Sequence, residues 1–240
     1  MPQPTEQFSE RFKLLNREAS LISGLITSGL EHLNKVSKNP TYYYQSFYAL
    51  SVGLERLMKL ILYLENQPTN LRGFNHNLVR LKNATNVTFS VDSIENKLII
   101  FLNHFSNSGR YNIVDYFSSG NPSDLVNEPI VKFYNEIILE IISLHPPHAI
   151  TTLRPINFVS VLHIGEDFSE INDLNDLIIR GQLIDHASKY AVMYLGRLLQ
   201  PFLEKLRSFD GPPDNPYFSE HFRYLRQDDL YFKNRKTFRS

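Results

Sequence analysis

The chain has 240 residues, 25 basic and 25 acidic side chains, and neither cysteine nor tryptophan. Zero cysteine excludes a disulfide framework, a thiolate zinc site, an iron–sulfur cluster and a cysteine nucleophile. A formal charge of zero argues against nucleic-acid binding through the bulk field of the whole molecule, and a chain this long buries about 70–75 % of its unfolded surface, enough for a core without staples.

No apolar run approaches the ~18 residues of a membrane span. Met1 to Glu10 is polar and lacks an apolar leader, so the expectation is a cytoplasmic protein with no membrane partner. Phe8 to Val36 reads as a long helix carrying Phe12, Leu15, Ala19, Ile22, Ile26, Leu30 and Leu33 on one stripe. After Asn39-Pro40 a second stripe (Tyr43, Phe47, Leu50, Leu54, Leu57, Ile61, Leu64) predicts a helix that Thr41 could cap and that stops before Pro68. A short Ser-Lys-Asn-Pro turn between them predicts an antiparallel hairpin. A short helix is expected over residues 75–82, and another over 91–105, ended by Ser108-Gly109. Residues 118–124 read as a loop, and residues 125–144 as a helix closed by Pro146-Pro147. The β-branched residues and Pro155 between 150 and 165 suggest an irregular or extended connection. The last long helix spans residues 173–209, with Pro201 expected to kink it. Together these elements predict an all-α bundle of five to six helices over residues 1–210. A basic, aromatic segment over 211–240 is expected to pack on it, burying Tyr231, Phe232 and Phe238. Phe47, Leu54, Ile61, Ala187, Ala191 and Leu198 are expected in one core.

The familiar catalytic and nucleotide-binding signatures are absent: no H-E-x-x-H, P-loop, G-x-G-x-x-G or G-x-S-x-G. His145 and His148 are three residues apart but flank Pro146-Pro147 in a loop, so they form no helical ligand pair. No metal or cofactor is expected. Three short segments carry polar groups of interest. Glu55 and Lys59 lie four apart on the second helix, which alone describes an exposed ion pair. Asn75-His76-Asn77-Leu78 opens a short helix, where His76 could cap or pack. Gly109-Arg110-Tyr111 follows a helix, where Arg110 could meet the last carbonyls.

In this order the segments resemble the HEPN superfamily, the helical "higher eukaryotes and prokaryotes nucleotide-binding" domains. Its uncharacterised prokaryotic branch shows an s-L-E-x-L-x-K helix, a G-H-[DN]-L segment and a helix ending in [GA]-R-Y. Here these read Gly53-Leu54-Glu55-Arg56-Leu57-Met58-Lys59, Asn75-His76-Asn77-Leu78 and Gly109-Arg110-Tyr111. Asn75 stands where the pattern has Gly, and Asn112 where Pro often follows. The resemblance covers roughly residues 40–117, about a third of the chain. It implies an all-helical, often dimeric domain of toxin–antitoxin and phage-defence systems, acting on RNA, with an antitoxin or other defence-system protein as partner. Active members are metal-independent endoribonucleases using an Arg-x(4–6)-His motif. Histidine moves the 2′-hydroxyl or leaving-group proton, and arginine stabilises the phosphate charge. Arg180 and His186 have that spacing here, although Gly181 replaces the usual polar residue and a continuous helix sets them about 120° apart.

The expected activity is therefore RNA-directed conflict or defence, with Arg180 and His186 catalytic. Two alternatives stand beside it: a non-catalytic dimerisation or partner-binding module, and a nucleotide or anion sensor. For the sensor, Lys59, His76 and Arg110 are expected to approach one another around a pocket, with Glu55 and Tyr111 behind them. The basic tail (Arg223, Arg226, Lys233, Arg235, Lys236 and Arg239, against Asp228 and Asp229) interleaved with Tyr224, Tyr231, Phe232 and Phe238 is either a docked segment or a nucleic-acid arm.

Overall fold

The structure, a computed structural model, describes residues 8–39, 41–65, 70–107, 128–147 and 174–238, with residues 174–181 described by their backbone alone. The expected loop at 118–124 and the connection at 150–165 lie outside these residues. Every regular element among the described residues is helical, and they form an all-α bundle.

Helix α1 (Glu10–Leu33) starts where Ser9 accepts a hydrogen bond from the Phe12 N–H. Helix α2 (Thr41–Leu64) starts differently from the sequence expectation. Asn39, not Thr41, accepts from the Thr41 N–H at 2.9 Å, so Thr41 is already the first helical residue. The two helices run antiparallel: Ser46 donates to the Gly29 carbonyl at 2.8 Å, and Arg56 reaches Glu18. Their backbones come close because Gly29 and Gly53 lack side chains. A Cβ at Gly29 would sit 2.6 Å from Leu50, and one at Gly53 would sit 2.8 Å from Ile26.

A 3₁₀ turn (Leu71–Phe74) leads to α3 (Leu78–Ala84), capped by the Asn77 side chain. Helix α4 (Ile94–Asn107) lays Phe101 and Phe105 against Phe47, with ring centroids 4.7 and 5.5 Å away. Helix α5 (Pro129–Phe133) passes through a π-helical turn (Tyr134–Ile138) into α6 (Leu139–Leu144) and brings Phe133 to 4.9 Å from Phe47. Helix α7 (Leu174–Arg207) continues through Pro201. Phe47, Leu54, Ile61, Ala187, Ala191 and Leu198 are all buried in one core. Those residues lie on α2 and α7, so the stripes read from the sequence face each other.

The segment after Gly211 forms α8 (Phe218–His221) and α9 (Asp229–Asn234). Phe218, Phe222, Leu225, Phe232 and Phe238 are fully buried, and Tyr231 is half-buried. The ends are tied as well. Asp210 accepts from the Phe218 N–H at 2.7 Å, and buried Glu31 on α1 accepts from the Phe238 N–H at 3.0 Å. No described helix is long and apolar enough to cross a membrane.

Candidate functional site

Two polar clusters occupy different parts of the bundle. The first is centred on Glu55, in the middle of α2. Alone, the sequence describes Glu55 and Lys59 as an exposed pair. The segment over residues 71–77 instead folds across them, leaving Glu55 buried at 8 % exposure. Lys59 donates to one carboxylate oxygen at 2.6 Å, and the His76 Nδ1 lies 2.9 Å from the other. Lys59 also donates to the Asn75 carbonyl at 3.1 Å. Burial would raise the Glu55 carboxyl, but the bonds from His76 and Lys59 outweigh it and hold it below the usual range.

The loop conformation that makes this possible is demanding. Asn75 has φ 48° and ψ −128°, a region that favours glycine. The turn presents its carbonyl to Lys59 and its neighbour's ring to Glu55. Asn77 then caps α3, and Ser106 at the end of α4 donates to the His76 carbonyl at 2.9 Å. Glu55 is thus the hub of the cluster rather than a group behind it. It balances Lys59 and fastens the loop to α2. Arg110 and Tyr111, the other two members of the expected pocket, lie outside the described residues.

The second cluster surrounds His186 on α7. Its Nε2 is 2.8 Å from the His145 carbonyl. A carbonyl only accepts, so Nε2 carries the proton, and in the neutral ring Nδ1 keeps the lone pair. The His145 ring stacks on Tyr190 with centroids 4.0 Å apart, and its Nε2 is 2.9 Å from the Tyr194 hydroxyl. Burial, then the charges of Lys233 and Arg197, push the His145 imidazolium below its ordinary range, so this ring is neutral near pH 7. Lys233, on α9, donates to the Tyr190 hydroxyl at 2.7 Å and joins the cluster to the tail. Arg197 is fixed by a two-pronged contact with Asp229, which holds that carboxyl low. Helix α7 is unbroken across positions 180 and 186, which are about 120° apart around its axis. The Arg180 side chain lies outside the described residues.

Lys233 also lines an adjoining cleft of about 320 Å³. Its walls carry Lys35 and Lys38 from the α1–α2 turn, Lys189 from α7, and Lys233, Arg235 and Lys236 from α9 and beyond. The single carboxylate there, Asp185, is bound to Lys189 at 2.8 Å. Lys35, Lys38 and Lys236 have no carboxylate within ion-pair distance among the described residues. A cleft walled by one sign of charge concentrates positive potential even on a neutral molecule. The tail is docked, its phenylalanines being buried, and Lys233, Arg235 and Lys236 line this cleft.

Sequence reasoning missed Lys35, Lys38 and Lys189, which are far from the tail along the chain. The closely spaced Lys35 and Lys38 of the turn were the available signal. It also missed His145, whose significance comes from the tertiary contact with His186. Among the described residues no group of three metal-ligating side chains is assembled. No family model matches the chain, and neither the curated proteins nor the solved structures yield a match.

Proposed function

We propose that the protein is an RNA-directed member of the HEPN type, binding the phosphate backbone in the cationic cleft and presenting it to His186 and His145. The observation that carries this reading is the cleft itself: six cations from separate segments against one paired carboxylate, linked through Lys233 and then Tyr190 to two histidine rings. Phosphate neutralisation by lysine and arginine supplies most sequence-independent affinity for nucleic acid. A neutral imidazole with a free Nδ1 can accept the 2′-hydroxyl proton, and a nearby cation can stabilise the phosphate in flight. The resemblance in the Glu55, His76 and Arg110 segments supports the same class. The glycine-like turn at Asn75 supports it too, because the family pattern has glycine at that position.

The ribonuclease form of this reading brings a homodimer with it: positions 180 and 186 are about 120° apart around one continuous helix, and on this reading a second copy of the chain contributes an arginine at His186. The test is incubation with single-stranded RNA in chelator, scored for binding and for cleavage to 2′,3′-cyclic phosphate ends. Cleavage by the wild type that His186→Ala abolishes while leaving binding intact supports the enzyme. Binding without cleavage leaves the non-catalytic module, and absence of binding removes the RNA-directed reading.

A further inference from the structure

On a different face, α1 and α2 flank an open groove of about 890 Å³ lined by Arg11, Leu14, Arg17, Leu21, Arg56 and Tyr63 among others. Three of its large apolar side chains are uncovered: Leu14 is 59 % exposed, Leu21 45 % and Tyr63 48 %. Leu14 and Leu21 are seven residues apart, hence on one edge of α1 and about 10.5 Å from each other. That interval matches the anchor repeat of a helix laid alongside.

Charge selects the occupant. The groove has four cations, Arg11, Arg17, Arg56 and Lys59, and two carboxylates, Glu18 and Glu55. Both carboxylates are already engaged. Arg56 grips Glu18 through two bonds of 2.8 and 2.6 Å, and Lys59 holds Glu55. Arg17 has no carboxylate partner among the described residues, and Arg11 leans over the Tyr63 ring at 5.7 Å and donates to Asn215. The charge left over is positive on both sides of an apolar strip. A second copy would bring the same positive charge to the interface, and an RNA backbone would leave the leucines unused.

We propose that this groove docks an acidic amphipathic helix of a partner protein, its apolar residues on Leu14, Leu21 and Tyr63 and its carboxylates beside Arg17 and Arg11. The proposal is independent of RNA binding in the cationic cleft. The probe is a fluorescent synthetic helix of about five turns, leucine at i, i+3, i+4 and i+7 and glutamate on the flanks, with a permuted peptide of identical composition as control. The full-length protein should bind the patterned peptide saturably and the permuted one far more weakly. Leu14→Glu and Arg17→Glu should each weaken that binding about tenfold, with melting temperature and RNA affinity unchanged, since both positions lie outside the core. Equal binding of the two peptides, or binding of neither, would overturn the proposal. So would displacement of the peptide by RNA, or conversion of a dimer into a monomer by Leu14→Glu, which would make the occupant a nucleic acid or a second copy.

Discussion

Gly196 on α7 lies directly beneath the Phe232 ring. A Cβ built there would stand 2.5–2.6 Å from three ring atoms, well inside the ~3.5–4.0 Å of an ordinary carbon contact. Phe232 is 1 % exposed, and the ring cannot yield without leaving its site. Two effects of Gly196→Ala then oppose each other. Alanine in a helix interior is favoured over glycine by about 1 kcal/mol. Expelling Phe232 loses the burial of one large apolar side chain, about 1.5–3 kcal/mol, and loosens Phe238, whose ring centroid is 5.7 Å from it. Loss should therefore win, with a net destabilisation of about 0.5–2 kcal/mol from these two effects and more where Phe238 loosens as well. Denaturant unfolding of Gly196→Ala, Phe232→Ala and the double variant measures it. In the Phe232→Ala background the clash is gone, and Gly196→Ala should become neutral or stabilising. Stabilisation by Gly196→Ala in the otherwise unaltered protein would show that the tail does not rest on α7.

Glu55→Gln should lower stability at neutral pH by about 1–2 kcal/mol, because Lys59 loses its counter-charge. The folded Glu55 carboxyl is held low, so its contribution is complete above the ordinary carboxylate range and disappears as pH falls through the lowered value. The gap between wild type and variant should thus begin to narrow as pH falls below the ordinary carboxylate range and close once pH has passed the lowered value, and a gap that does not narrow in acid would refute the clasp. Asn75→Gly should stabilise by about 1 kcal/mol in thermal unfolding, since glycine adopts that positive φ without strain; a loss of stability would show that the Asn75 side chain has a role of its own.

The long helices were legible because their apolar repeats run for many turns. The α1, α2 and α7 stripes need no tertiary information, and Leu54, Ala191 and Leu198 occupy the core they indicate. The ends were less legible. A cap depends on one local hydrogen bond, and Asn39 and Thr41 are equally acceptable cap residues in sequence. The π-helical turn at Tyr134–Ile138 leaves no mark in a periodic pattern. Glu55 with Lys59 was visible as a spacing, but burial of that pair depends on a loop whose turn uses asparagine in a glycine-like conformation. The cationic cleft was least visible. It joins the α1–α2 turn, the middle of α7 and the tail, and a formal net charge of zero conceals it because acidic residues elsewhere balance the sum.

The most direct test of the RNA-directed reading is the affinity for a labelled single-stranded RNA, measured by anisotropy across a salt series. The comparison is between wild type and the Lys38→Glu/Lys236→Glu double variant. Each phosphate contact to a single strand contributes a slope of about −0.7 in log affinity against log salt. The account predicts binding that weakens with salt in the wild type, an affinity at least about tenfold lower in the double variant, and a slope flatter by about 1.4 for the two lost contacts. RNA binding that both proteins share with the same slope, or no salt-sensitive binding by the wild type, would contradict it.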